Sequence, residues 1–299
     1  MSDLKPCPLC NAPVSRNADR RWLKDGFDIV CCPSCGLLYR FDPPTRADLD
    51  AIYDDGYFNA DEGETHGQGY QDYVGDEALH RLSARRRLAT LDTLIDSKGR
   101  LLDVGAAAGF FVDEARRAGW DAVGIDVAPS MTRHARDRVG VDVATTTLAD
   151  ANFDDASFDA VTLWDYIEHS MDPVQDLADV ARVLRPGGVV GLSTGDAASR
   201  VARITASRWH LLTPRHHNFF FTRSTLAAAL ERTGFEVVSM RNPGSVYPVS
   251  YLVYKLQTAA RLSVLERAAA RLHGTALGAR GVPLNLGDIV TVWARRRFS

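Results

Sequence analysis

The sequence predicts an α/β fold: a Rossmann-like parallel sheet with helices on both faces, preceded by a small cysteine ribbon. Three observations carry that reading. Short apolar runs alternate with helix-length amphipathic ones from about residue 99 onward. The run Leu101-Leu102-Asp103-Val104-Gly105-Ala106-Ala107-Ala108-Gly109-Phe110-Phe111 reads as strand, tight loop and helix start. All five cysteines fall within the first 35 residues. With 299 residues, 45% of them hydrophobic and 24% charged, the chain can bury one large core plus a small accessory unit.

The ribbon is placed at residues 1–41. Cys7-Pro8-Leu9-Cys10 and Cys32-Pro33-Ser34-Cys35-Gly36 form two Cys-x-x-Cys knuckles about twenty residues apart, spacing that suits four thiolates around one tetrahedral zinc. Cys31 is then the spare, because only Cys32 keeps the two-residue gap to Cys35. Reduced free thiols or a redox pair are the other reading. Four thiolates leave no open coordination position, so Cys7, Cys10, Cys32 and Cys35 would hold a structural zinc, without which so short a ribbon could not fold.

Residues 42–98 read as a helical connector and lid. Thr45 can cap a helix running from Asp48 to Tyr53, and a glycine-rich stretch with Tyr57, Phe58, Tyr70 and Tyr73 follows. Aromatic faces with hydroxyl handles suit a lid over a ligand, and they equally suit packing against the core. A helix then runs to about Ile95, with Leu79, Leu82, Leu88, Leu91 and Ile95 as its apolar stripe. Its Arg81, Arg85, Arg86 and Arg87 fit a solvated face, or a contact to RNA or an acidic substrate.

From residue 99 the pattern predicts strand 100–104, helix 110–118, strand 121–125, helix 129–138 and a short strand at 141–145. Strand 159–164, helix 173–184, strand 188–193, helix 225–232, strand 235–241 and a terminal run at 288–295 complete it. Short apolar strands between helices argue a parallel sheet covered on both sides. The small-residue loop lets backbone N–H groups approach a ligand at the helix start. Asp126, at the end of the next strand, can accept hydrogen bonds from both hydroxyls of a ribose. The glycines stand at 105 and 109 with Ala107 between them, which departs from the dinucleotide fingerprint and favours a nucleoside cofactor without a pyrophosphate.

Further blocks keep order with that loop. They are Gly124-Ile125-Asp126, Phe153 to Val161 around Ser157-Phe158-Asp159, Tyr166 to Pro173, and Arg182-Val183-Leu184-Arg185-Pro186-Gly187-Gly188. On these residues the chain resembles the class I S-adenosylmethionine (SAM)-dependent methyltransferases from about 85 to 240. Their loop usually reads Asp/Glu-x-Gly-x-Gly-x-Gly, so Ala107 is a departure whose Cβ crowds the turn. The resemblance implies a Rossmann-like seven-stranded methyltransferase sheet whose last strand inserts antiparallel beside the fifth, with the transferase domain at 99–299 and a helical insertion at about 244–286. It implies SAM as cofactor, S-adenosylhomocysteine as product, and a cofactor site from Asp103, Gly105, Ala106, Ala107, Gly109, Phe110, Asp126, Val127, Leu148, Ala149 and Asp165. Deoxysugar C-methyltransferases also join a zinc ribbon to this fold and use a histidine after the fifth strand; they carry a further C-terminal domain for which this chain is too short.

Methyl transfer is an in-line displacement in which positioning supplies most of the acceleration, and a base must take the acceptor's proton. His216 and His217 follow the fifth strand, where the acceptor pocket is normally built, and His169 follows the fourth. Each is a candidate base or an element that orders its loop. Trp209 and His210 are candidates to line the pocket. In the insertion, Tyr251, Leu252, Lys255, Leu256, Ala259, Leu262 and Leu265 outline an amphipathic helix, with Arg261 and Arg267 on other faces, that packs on the core, caps the pocket, forms a homodimer contact or meets a lipid-linked substrate.

The expected function is therefore methyl transfer to a small-molecule acceptor such as a sugar or other secondary metabolite. An rRNA methyltransferase that grips RNA through its ribbon is the alternative, and a non-catalytic cofactor-binding scaffold the third reading. A net charge of −3 and a pI near 6.2 speak against nucleic acid as partner. No stretch approaches the ~20 apolar residues of a membrane span and no signal-peptide core opens the chain, so a cytoplasmic setting is expected.

Overall fold

The computed structural model describes residues 4–45, 73–250, 252–253, 271–272, 275–278 and 280–298. Strands β1 (Leu4–Pro6) and β2 (Pro13–Ser15) pair antiparallel on either side of the first knuckle. Strands β3 (Arg20–Lys24) and β4 (Phe27–Cys31) form a hairpin whose turn residues Asp25 and Gly26 both have positive φ, at 51° and 82°. Two such residues are what a tight two-residue hairpin loop demands. Strand β5 (Leu38–Arg40) then pairs with β4.

Helix α1 (Glu77–Leu91) leads into the transferase sheet. The sheet contains β6 (Arg100–Val104), β7 (Asp121–Asp126), β8 (Val143–Thr145), β9 (Phe158–Trp164) and β10 (Leu184–Gly195). Between them run α2 (Phe110–Arg117), α3 (Pro129–His134) with one π turn at Ala135–Val139, and α4 (Pro173–Val183). After β10 come α5 (Arg200–Thr205), the two-residue strand β11 (Phe219–Phe220), α6 (Arg223–Arg232) and β12 (Phe235–Arg241). A hairpin of β13 (Ser245–Pro248) and β14 (Gly281–Leu284) precedes the closing strand β15 (Ile289–Arg296).

The seven strands lie in the order β12-β15-β10-β9-β6-β7-β8, with β15 antiparallel to both β10 and β12. This is the seven-stranded methyltransferase sheet that the resemblance implied. Two of its helices begin at side-chain caps. Asp172 accepts from the N–H groups of Val174 and Gln175 ahead of Pro173, and Thr222 and Thr225 form a reciprocal capping box.

Three boundaries differ from the sequence expectation by four residues each. Helix α1 ends at Leu91 rather than near Ile95, because Thr93 and Leu94 bond back three residues, to Thr90 and Leu91, and the chain tightens out of the helix. Strand β10 begins at Leu184 rather than 188, and its register against β9 shifts between Leu184 and Val189, so Arg185-Pro186-Gly187-Gly188 is a bulge inside the strand. The helix expected through 138 widens to the π turn after His134, with Gly140 and Val141 both donating to Ala135.

The ribbon does not stand apart. Strand β11 adds to β5 as the edge of a four-stranded sheet β3-β4-β5-β11, with Phe219 opposite Tyr39 and Phe220 opposite Leu38. One continuous apolar core joins Cys7, Leu9, Leu37 and Phe41 of the ribbon to Leu163, Ile167, Phe221 and Leu226 of the transferase sheet and helices. Among the described residues no helix is long and apolar enough to cross a membrane. Thr45 is described, but the helix expected at 48–53 and Tyr57, Phe58 and Tyr70 lie outside the described residues. The same holds for Tyr251, Lys255, Leu256, Ala259, Arg261, Leu262, Leu265 and Arg267 of the expected insertion helix.

Gly109 caps α2 with φ 77°, and a Cβ there would lie 2.6 Å from Val141 Cγ2 and 3.0 Å from the Ala135 Cβ. Left-handed strain and overpacking together predict that Gly109→Ala costs about 2–4 kcal/mol. A thermal unfolding scan showing an unchanged midpoint would refute this.

Candidate functional site

The turn from β6 into α2 is built on backbone that few residues adopt. Gly105, Ala107 and Gly109 have φ of 75°, 45° and 77°. Ala107 therefore occupies the left-handed region with a Cβ, and it is held there because its N–H donates to Asp126 Oδ2 at 2.8 Å. The other oxygen, Oδ1, accepts from the N–H of Ala128 at 2.8 Å. Asp126 thus fastens two loops at the carboxyl ends of β6 and β7, where an α/β sheet binds its ligand. Burial raises its carboxyl above the usual range, against the pull of those N–H groups.

Asp103, on β6, is 2% exposed and accepts from the Thr162 hydroxyl at 2.6 Å. Burial outweighs that bond and pushes its carboxyl up to about 7. Ala106 and Phe110 are buried beside the loop, and Val127 is exposed. Leu148 is buried in the core, and Ala149 is exposed on the turn after β8. Asp165 closes β9 with φ 52°, accepts from the Ser193 hydroxyl at 2.8 Å and lies 3.6 Å from Arg87.

Helix α1 brings side chains the sequence placed elsewhere. Arg81 is 14% exposed and pairs with Glu77, Asp113 and Glu114, the last only 6% exposed. Arg87 lies 4.2 Å over the Trp164 ring and donates to Ser193 Oγ at 3.2 Å. Two of the four arginines thus face inward toward α2 and the strand ends, which a solvated face does not do. Tyr73 stacks at 4.1 Å on His80 and at 6.0 Å on Phe110. Burial, reinforced by the carboxylates of Asp103 and Asp126, raises its phenol, and its ring packs against the cluster of Ala107, Ala108 and Phe110.

Two segments, one after β9 and one before β11, bring together the histidines that the sequence offered as candidate bases. A ligand atom from each of Glu168, His169 and His217 lies within 4.8 Å of the other two. His169 Nδ1 faces the carbonyl of His216 at 3.0 Å, and His217 Nδ1 faces that of Leu211 at 2.9 Å. A carbonyl only accepts, so each Nδ1 carries the proton and each Nε2 the lone pair. Burial pushes His169 down to about 4 and His217 well below its ordinary value, so both rings are neutral. Glu168 is 6% exposed, and its Oε2 has no hydrogen-bond partner. Burial first, then Asp165, pushes that carboxyl up to about 8.

Two imidazoles and a carboxylate are donors that a divalent ion or a hydroxyl ligand can use. The ring of His216 stands outside this trio; its carbonyl belongs to the frame. Trp209, Leu211, Phe219 and Phe220 supply the apolar wall around Glu168, Thr194 and His217, leaving a cavity of about 10 Å³, room for one water. Trp209 is buried and donates to Asp288 Oδ2 at 3.0 Å, and His210 Nδ1 lies 3.5 Å from the same oxygen.

In the ribbon, Cys7, Cys10, Cys32 and Cys35 converge. The Cys7–Cys35 and Cys10–Cys32 sulfurs are 3.7 Å and 3.5 Å apart, close to the about 3.8 Å edge of a tetrahedron with 2.3 Å zinc–sulfur bonds. The Tyr39 hydroxyl is buried without a hydrogen-bond partner, near enough to Cys7, Cys32 and Cys35 to feel thiolate charge. A buried hydroxyl within electrostatic reach of those sulfurs fits a charged tetrathiolate. Cys31 Sγ instead approaches the carbonyls of Cys32 and Gly36, both at 3.9 Å.

A seven-stranded sheet with an antiparallel sixth position, a left-handed small-residue loop and a buried acid two loops on defines a class I SAM-dependent methyltransferase fold. The chain belongs to the methyltransferase domain family, whose model matches residues 73–240. It is 32% identical over 171 residues to a ubiquinone biosynthesis O-methyltransferase of Xanthomonas axonopodis pv. citri, covering 53% of this chain and 72% of that protein. A protein of the same name from Xanthomonas oryzae pv. oryzae is 34% identical over 172 residues, with the same coverage. Among solved structures, the YcgJ protein of Bacillus subtilis superposes with a TM-score of 0.52 at 19% identity, covering 74% of this chain and all of that one. A SAM-dependent methyltransferase of Archaeoglobus fulgidus gives 0.50 at 16% identity, covering 75% and 99%. These structures share the fold.

Proposed function

We propose that this methyltransferase acts on a hydroxyl of a small acceptor with an apolar body, a description that admits phenols, sugars with apolar substituents and other secondary metabolites. The observation that carries the proposal is the partnerless Glu168 Oε2 beside the His169 and His217 rings, set in a wall of Trp209, Leu211, Phe219 and Phe220. The names of the Xanthomonas relatives, O-methyltransferases, support oxygen as the methylated atom. Bound SAM supplies an electrophilic methyl on its sulfonium. Asp126 and the 105–109 loop hold the nucleoside, and Asp103 and Asp165 set carboxyl groups at the strand ends. His217 orients the acceptor hydroxyl, Glu168 takes its proton in the ionised form that gains weight as pH rises toward about 8, and the apolar wall shields the site. We further propose that Cys7, Cys10, Cys32 and Cys35 hold one structural zinc.

The experiment is methyl transfer from labelled SAM to a panel of phenols, catechols and sugars, with Glu168→Gln as the variant. Turnover with at least one hydroxyl acceptor is expected, falling on the order of 10²–10⁴-fold in Glu168→Gln while SAM affinity is retained. Methylation only at nitrogen or carbon, or a Glu168→Gln enzyme as fast as wild type, would remove this reading.

A further inference from the structure

We propose that Asn218 is a positioning residue through which the cysteine ribbon sets the geometry of Glu168, His169 and His217. The proposal rests on the acceptor-site reading above. It concerns what holds those side chains and not which acceptor they meet.

Asn218 is 2% exposed and sits where three segments meet. Its carbonyl accepts from the N–H of Arg40 at 2.8 Å, at the end of β5. Its own N–H donates to the Glu168 carbonyl at 2.8 Å, and the N–H of Phe219 shares that acceptor at 3.2 Å. Its side-chain amide donates to the carbonyls of His169 at 3.1 Å and Ser170 at 3.0 Å. An amide nitrogen has two protons, and both are committed. With water excluded, an unmade bond here would leave a carbonyl orphaned, which costs more than the bond itself contributes.

The consequence reaches both imidazoles. The 168–170 turn carries His169, whose Nδ1 bonds back to the His216 carbonyl, so the turn and the 216–219 segment latch each other in both directions. His217 meets His169 edge-on, with ring centroids 4.7 Å apart at 88°. A shift of the turn moves one ring against the other.

The ribbon is the outer anchor of this latch. Phe219 and Phe220 pair with Tyr39 and Leu38, three residues beyond Cys35, and the N–H of Cys32 bonds the carbonyl of Leu37. The four-cysteine cluster fixes the knuckle that feeds β5, β5 fixes β11, and Asn218 passes that register to the Glu168–Ser170 turn. A ribbon that served only to bind a partner would not need its inner strand completed by the acceptor wall.

The test reads the histidines directly and needs no acceptor. Long-range proton–nitrogen spectra of the full chain, zinc-loaded and saturated with SAM, report which ring nitrogen carries the proton. Wild type should show His169 and His217 protonated at Nδ1. Asn218→Ala removes the two side-chain donors and leaves the main-chain pairing. It should shift the His169 and His217 signals toward mixed tautomers, with zinc content at one per chain and SAM affinity within about two-fold. Stripping zinc from wild type with a chelator should move the same signals while SAM still binds. An Asn218→Ala protein that melts earlier yet keeps both ring signatures would overturn the proposal, as would rings unmoved by chelation. If Asn218→Ala does not fold, the chelation arm decides alone. Lost turnover in Glu168→Gln bears on the acceptor reading, and unmoved rings bear only on this one.

Discussion

Serine in place of Cys32 is expected to release the zinc proposed for the ribbon and to lower the unfolding midpoint by more than about 10 °C. An alkoxide-poor hydroxyl replaces a thiolate in a site whose binding energy is folding energy, about 10–16 kcal/mol for a structural zinc. A chain of this size gains or loses about 2–4 °C per kcal/mol, so losing even about 4 kcal/mol of that coupling is visible. The loss should spread beyond the ribbon, because Cys7, Cys32 and Leu37 belong to the same core as Leu163 and Phe221. Elemental analysis together with a melting scan checks both halves. Cys31→Ser is the internal control: its sulfur lies outside the tetrad and it should keep metal and midpoint. A Cys32→Ser protein that retains one zinc per chain would show that Cys31 can take the vacant place, or that the tetrad is not the site.

Replacing Asp126 with alanine should weaken SAM binding by about 100-fold or more. Two charge-assisted hydrogen bonds of about 1.5–3 kcal/mol each are at stake, whichever donors they serve at a given moment. In this structure the donors are the N–H groups of Ala107 and Ala128, which Asp126 holds at 2.8 Å. Under the proposed assignment, ribose hydroxyls would compete for the same oxygens, making the side chain both latch and ligand. Asn at this position keeps one acceptor and should fall between wild type and alanine. Calorimetry with SAM decides; unchanged affinity in Asp126→Ala would mean that the ribose lies elsewhere.

Much of this was legible in the sequence because it is local. The 100–104 strand, the small-residue loop, the cysteine knuckles and the helix start at Pro173 are patterns within a dozen residues, and the structure has each element in place. What the sequence hid depends on partners far along the chain. Arg81 and Arg87 look like a solvated run because nothing nearby announces Glu114 or Trp164. Glu168 reads as half of a Glu-His pair, and only the fold shows one of its oxygens left without a donor. Strand β11 is two residues long, too short for any alternation to register. The bulge at 185–188 hid four residues of β10 for a related reason, since Pro186 and two glycines look like punctuation.

Strand β11 also dictates an order of assembly. During synthesis the ribbon emerges first, with β5 as a bare edge, and its completing strand follows only after β10 has been made. Until then that edge offers unpaired backbone groups to any other extended chain. Metal can lock the knuckles early, but the sheet closes only as the transferase core does, and such long-range pairing is slow. A gene split at the connector would therefore yield two sticky fragments, each missing the other's β-strand, where the linear map suggests a clean seam.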